Sequence, residues 1–202
     1  MVVCIPVFEY LEENTYFYID DHTKHGFLID PGAEANKLLD LIKKHHWVIE
    51  KILLTHGHFD HMGAVNEIRK KLNIPVYAYN DTYLKNPNYN LSHFYRNDLI
   101  LNDTKRFQEG DLLKLEEGDL SLKVIHTPGH TEDSCIFYSE EHLAFVGDTI
   151  FKDSYGNPNF PGGNINTLFD SIRNKILTLP DDTKLYSGHT EVTTVKEEKE
   201  HY

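Results

Sequence analysis

The sequence predicts a mixed α/β fold. Three observations lead there: apolar runs of strand length recur along the chain, the first of them form a meander, and two stretches of helical spacing then alternate with strands. Residues 2–7, 14–19 and 27–29 read as the meander. Its turn is Asp20-Asp21-His22-Thr23-Lys24-His25-Gly26, and Asp30-Pro31-Gly32 closes it. Residues 33–46 follow as a helix with Leu38, Leu39, Leu41 and Ile42 as its apolar stripe. Strand 49–55, helix 63–72 and strand 75–79 then imply a βαβ element and a mixed sheet. Residues 80–105 are irregular and dense in Asn, Asp, Tyr and Pro; a loop of this length either walls a site or is a surface excursion. Strands return at 112–115, 120–125, 135–138 and 143–146, with Glu117-Gly118-Asp119 as a turn. Residues 165–179 are helical, with Leu168, Ile172, Ile176 and Leu179 on one face; 184–186 is a last strand before a charged helical tail.

At 202 residues, 40% hydrophobic and 26% charged, the chain is expected to form one soluble domain, 1–202, with a sizeable core. Its formal net charge of −12 argues against nucleic acid and against an anionic membrane surface as partners. Cys4 and Cys135 lie in apolar, strand-like surroundings and are expected to be buried thiols. The N-terminus lacks the basic and apolar regions of a signal peptide, and no apolar run approaches the ~20 residues that span a bilayer. The cytoplasm is the expected location.

The chemistry concentrates at Thr55-His56-Gly57-His58-Phe59-Asp60-His61, directly after the apolar run Ile52-Leu53-Leu54. His56 and His58 are two apart, so extended backbone points both to one side. Asp60 and His61 follow as the chain turns toward a helix. Two nitrogens facing one point and a second N,O pair beyond could serve two metal ions; imidazole and carboxylate suit Zn, and also Fe, Mn or Co. Three imidazoles and a carboxylate beside an apolar strand are costly to hold together without a cation. His130, Asp148 and His189 each lie on a turn straight after an apolar run, beside Gly129, Gly147 and Gly188. Of the other histidines among the thirteen, His22, His25, His45, His46, His142 and His201 sit in polar contexts and are expected on the surface. His93 is not expected to be a ligand.

The pattern resembles the metallo-β-lactamase superfamily: His-x-His-x-Asp-His at 56–61, then Gly-His at 129–130, Gly-Asp at 147–148 and Gly-His at 188–189. The match runs from Asn14 and Asp30-Pro31-Gly32 to Glu197-Glu198-Lys199. Within the superfamily the chain is similar to the short glyoxalase II-like hydrolases. The phrases that carry this are His126-Thr127-Pro128-Gly129-His130-Thr131, Gly147-Asp148-Thr149-Ile150-Phe151 and Phe160-Pro161-Gly162-Gly163. The resemblance implies a four-layer αββα sandwich with the metal site at one edge between the sheets. It assigns His56, His58 and His130 to a first metal, Asp60, His61 and His189 to a second, and Asp148 to a bridge; His126 is not a ligand. The chain departs from many relatives at Asn157 and Asn159, where Arg and Asp are frequent, at Glu132-Asp133, and at Ser187, where Pro is usual. The last motif lies near residue 202, so the C-terminal helical extension that helps full-length glyoxalase II hold glutathione is not expected here.

Two divalent ions, Zn first, sharing a bridging water would lower its pKa toward neutrality, and Asp60 could take its proton. A thioester suits such a site because the leaving thiolate, of pKa near 8.5, departs with little help, whereas an amide needs a proton donor at nitrogen. The expected activity is therefore hydrolysis of a small-molecule acyl-thiol of the S-lactoylglutathione kind. The rivals are a mononuclear iron persulfide dioxygenase, opposed by the missing Arg at 157, and a lactonase, which is close in chemistry. A nuclease is opposed by the short acidic chain, a β-lactamase by His61, and a non-enzymatic metal module by the seven intact ligand positions.

Overall fold

A computed structural model describes residues 1–95 and 98–202. Two six-stranded mixed sheets make its centre. The first contains β1 (Val2–Phe8), β2 (Glu12–Ile19), β3 (His25–Ile29), β4 (Val48–Leu53), β5 (Val76–Ala78) and β6 (Lys105–Arg106), in that spatial order. Its first three strands are the antiparallel meander, and from β3 onward the pairing is parallel. Parallel pairing requires crossovers, which α1 (Ala35–His45) supplies between β3 and β4 and α3 (Val65–Leu72) between β4 and β5. The second sheet contains β7 (Leu112–Lys114), β8 (Ser121–His126), β9 (Cys135–Ser139), β10 (Leu143–Gly147), β11 (Lys184–Ser187) and β12 (Thr193–Thr194). Only β10 and β11 pair in parallel there, across α5 (Ile165–Ser171).

Three apolar layers explain the stacking. Tyr16, Tyr18, Phe27 and Ile29 of the first sheet meet Leu122, Val124, Phe137 and Phe145 of the second. Alternate residues of the same strands, Phe17, Ile19 and Leu28, face outward to Leu38, Ile42, Val65 and Ile68 of the helices. On the far side Ile136, Ala144 and Val146 pack on Leu168, Ile172 and Ile176. With both faces of its strands covered, residues 14–19 read as a nearly continuous apolar run rather than an alternating one. The order helix, sheet, sheet, helix is the expected αββα sandwich.

Several local expectations differ from the structure. The helix predicted at 63–72 is α3, and a further single turn outside that prediction, α2 (Phe59–Met62), precedes it and carries Asp60 and His61. The helix predicted at 165–179 changes at Ile172 into a π turn (Ile172–Ile176), with Leu177 N–H donating to Ile172 O at 2.9 Å. The turn keeps Leu168, Ile172 and Ile176 buried in one layer. Cys4 is exposed, because β1 is the edge strand of its sheet; Cys135, on inner strand β9, is fully buried as expected. The charged tail is helical for only one turn, α6 (Val195–Glu198), started by a capping box between Thr194 and Glu197. Residues 80–95 and 98–105 include a short α4 (Ser92–Tyr95) and fold onto the body. Tyr83 and Leu84 are buried there, and the Asn90 amide donates to the carbonyls of Tyr83 and Leu99. Among the described residues no helix is long and apolar enough to cross a membrane.

Candidate metal centre

All seven sequence-selected residues meet at one end of the two sheets. Four come from the loop and helix after β4, and His130, Asp148 and His189 come from the ends of β8, β10 and β11. Asp30, just past β3, closes the ends of β3 and β4 together. Its N–H donates to Leu53 O, Oδ1 accepts from Thr55 N–H at 2.8 Å, and Oδ2 accepts from Thr55 Oγ1 at 2.5 Å. The second sheet joins in where Cys135 N–H donates to Thr55 O. Strand β2 holds the His189 loop: the Asn14 side chain donates to Ser187 O and Thr190 O, and Tyr16 OH donates to Ser187 O at 2.6 Å. Gly188 is required by close approach, since a β-carbon there would lie 2.4 Å from Asp148 Oδ1.

The donor atoms form two groups. His56 Nε2 lies 3.2 Å from His58 Nδ1, which lies 3.0 Å from His130 Nε2. In the second group His61 Nε2 is 3.3 Å from Asp148 Oδ1, and His189 Nε2 is 3.3 Å from Asp148 Oδ2 and 3.4 Å from Asp60 Oδ2. Asp148 Oδ2 also lies 3.6 Å from His130 Nε2, so Asp148 is the one carboxylate that touches both groups. Four of the five imidazoles are fixed by a hydrogen bond through Nδ1: His56 to Thr55 Oγ1, His61 to Asp30 Oδ2, His130 to the Asn157 carbonyl and His189 to the Glu12 carbonyl. With the proton on Nδ1, each Nε2 presents a lone pair inward.

These residues fit divalent ions. Tetrahedral coordination at a Zn–N distance of 2.0–2.1 Å sets ligand atoms about 3.3 Å apart, close to the separations in both groups. His61 Nε2 and Asp148 Oδ1 are buried, face each other, and have no hydrogen-bond partner. Such unpartnered buried polar atoms are costly unless a cation lies between them. Titration behaviour divides along the same line. Burial and the neighbouring imidazoles push His56 well down and His58 to about 3, and burial lowers His130, so the first group is neutral. In the second, burial would lower His61 and His189, but Asp148 and Asp60 overcome it, raising His61 strongly and His189 to about 11. Burial would likewise raise Asp148, and His189 and His61 hold it far below the carboxylate range. Without a divalent ion, protons supply the positive charge these carboxylates demand.

Aromatic rings frame the centre. Phe160 stands edge-on to His58 and His130, with centroids at 5.6 and 6.3 Å, and Phe151 to His189 at 5.9 Å. Tyr83 walls one side: it packs 6.1 Å from His58, donates its OH to Pro161 O and accepts from Glu132 N–H. His126 stacks on Tyr79 at 3.9 Å, outside both groups, and exposed His93 also stands apart from them. His22, His45, His46 and His201 are exposed, as expected; His25 and His142 are half-buried against Glu50 and Asp182. Sequence reasoning missed the supports. Asp30 read only as a turn residue, and Glu13, 1% exposed, carries no local sign of burial beyond its place at the head of an apolar run.

The profile of the metallo-beta-lactamase superfamily matches residues 11–189, and the chain belongs to that superfamily. Among its relatives, hydroxyacylglutathione hydrolase GloC of Haemophilus influenzae is 34% identical over 204 residues, covering 96% of this chain and 93% of the relative. The crystal structure of the BLEG-1 B3 metallo-beta-lactamase superposes with a TM-score of 0.92 at 34% identity, over 100% of this chain and 97% of that one. TTHA1623, solved in a di-iron-bound form, gives a TM-score of 0.82 at 32% identity, over 96% of each chain.

Proposed function

We propose that the chain is a binuclear metal-dependent hydrolase of small-molecule acyl-thiols. The observation that carries this is the pair of donor groups sharing Asp148. His56, His58 and His130 would hold one ion, Asp60, His61 and His189 the other, and Asp148 would stand between them. Divalent ions at these positions supply Lewis acidity toward a carbonyl oxygen and acidify water toward neutral pH. Zinc suits the donors, and iron is the alternative that the di-iron relative raises.

The chain's own residues supply the rest. Asp60 stays ionised because His61 and His189 overcome its burial, and it is 11% exposed, so it can accept a proton from attacking water. Phe160, beside His58 and His130, restricts water on that flank. A thioester then needs nothing further from the protein, since its thiolate leaves unaided at a pKa of about 8.5.

The test is hydrolysis of S-lactoylglutathione by metal-quantified protein, followed by loss of thioester absorbance. Rapid turnover with two metal equivalents per chain is expected. Full metal loading with no turnover of any thioester overturns the thioesterase reading. A second reading, β-lactam hydrolysis, is favoured by the BLEG-1 superposition. It requires protonation of the departing nitrogen, and nitrocefin cleavage in place of thioester cleavage would establish it.

A further inference from the structure

Glu13 is a carboxyl side chain at the head of β2 with 1% of its surface exposed. Its Oε2 lies 3.1 Å from Thr15 Oγ1, whose hydroxyl also reaches Asp30 O at 2.9 Å. Its Oε1 is buried and has no hydrogen-bond partner. That oxygen points at the back of His61, 3.7 Å from Nδ1, the nitrogen that donates to Asp30 Oδ2 at 3.0 Å. Two carboxyl groups thus stand behind one imidazole, and no other ligand has such a pair: His56 rests on a hydroxyl, His130 and His189 on backbone carbonyls. Burying a carboxyl oxygen without a partner is costly, and β2 gains no hydrogen bond from it.

We propose that Glu13 is a positioning residue for the second ion of the binuclear reading, acting through His61. A divalent ion on Nε2 makes the whole imidazole more positive, and the Nδ1 edge is where that charge is felt by the protein. Asp30 alone fixes the tautomer. Glu13 adds a second carboxyl oxygen on the same edge, which offsets its own burial when His61 carries positive charge, and the ion places that charge there permanently. The consequence is selective: Glu13 strengthens the Asp60–His61–His189 position and leaves the His56–His58–His130 position unchanged.

Metal-free protein titrated with Zn2+ against a chromophoric chelator tests this. On the binuclear reading wild type is expected to take up two equivalents. Glu13→Gln keeps the volume and the Thr15 contact, and is expected to weaken the second equivalent by about 10- to 100-fold while leaving the first within two-fold. Glu13→Asp is expected to fall between the two. Thr15→Val, which frees the Glu13 side chain, is expected to shift the second equivalent in the same direction with Glu13 intact, so that misfolding of one variant does not decide the outcome. Two equivalents at wild-type affinity in Glu13→Gln overturn the inference, as does equal weakening of both. A wild-type chain that takes up only one equivalent overturns the binuclear reading, and this inference with it.

Discussion

Replacing Asp30 by Asn removes one charge and no volume, and it tests how much of the centre depends on a residue that holds no metal position. The carboxylate is 2% exposed and collects three donors: Thr55 N–H, Thr55 Oγ1–H and His61 Nδ1–H. An amide offers one acceptor oxygen. If that oxygen takes the Oδ2 place, the NH2 group confronts the Thr55 N–H, which cannot turn away. If it takes the Oδ1 place, the NH2 group confronts the Nδ1–H of His61. The first orientation loses one charge-assisted hydrogen bond and the second loses two, since Thr55 Oγ1 also donates to Oδ2; the less costly one still orphans a buried donor, a cost of roughly 2–4 kcal/mol. Urea unfolding of metal-free protein reads this directly. With a slope of about 3 kcal/mol/M the midpoint falls by roughly 1 M. In the second orientation His61 must also shift its proton to Nε2, so uptake of the second metal equivalent weakens as well. A midpoint within about 0.2 M of wild type, together with unchanged metal uptake, would falsify the claim that Asp30 organises this corner.

Other perturbations follow from the same geometry. Asp148→Asn loses the charge that faces both donor groups; metal uptake is expected to fall to about one tight equivalent per chain, with thioester turnover down by at least about 100-fold. Gly129, at φ 138°, has the backbone of Leu168 2.3 Å from where a β-carbon would lie. Gly129→Ala is therefore expected to cost roughly 3 kcal/mol or more, seen as a lower melting temperature. Tyr83→Phe removes one hydrogen bond to Pro161 and one from Glu132; a loss of roughly 1–2 kcal/mol in stability is expected with both metals retained. Asp20 accepts backbone N–H groups from Thr23, Asp119 and His22, which hold it at about 2, below its ordinary 3.8. A depressed carboxylate stabilises above its unfolded value and loses that contribution as pH falls through the folded one. The stability gap between wild type and Asp20→Ala should be constant from pH 7 to 5 and shrink between pH 4 and 2. A gap that persists undiminished at pH 2 contradicts this.

What the sequence disclosed and what it withheld divide by the range of the interactions. Strand delivery of His56, His130, Asp148 and His189 was legible because each follows an apolar run and neighbours a glycine or a turn, both local signals. The short helix α2 ahead of Gly63 and the π turn at Ile172 were not. A single turn that aims Asp60 and His61 inward is too short to show a period, and spacing alone cannot distinguish a continuous helix from one that adds a residue per turn to keep Ile172 and Ile176 in the layer. Cys4 was misread because its flanking residues are apolar, and an edge strand differs from an inner one only through its neighbours in space.

The supports of the centre lie further beyond local reading, since Glu13, Asp30 and the Asn157 carbonyl act across 48, 31 and 27 positions of the chain. Asn157 shows how this changes an inference from composition. Its side chain stands where relatives often carry Arg, which invites attention to a lost charge. Its backbone carbonyl, which no substitution removes, is what fixes His130 at 2.9 Å. The departure at 157 therefore alters the exposed rim of the site and leaves the donor geometry behind it in place. Exchange of Asn157 for Arg should accordingly change KM for anionic thioesters while leaving metal uptake as it is. Altered metal affinity in that variant would show that the side chain, and not only the carbonyl, shapes the centre.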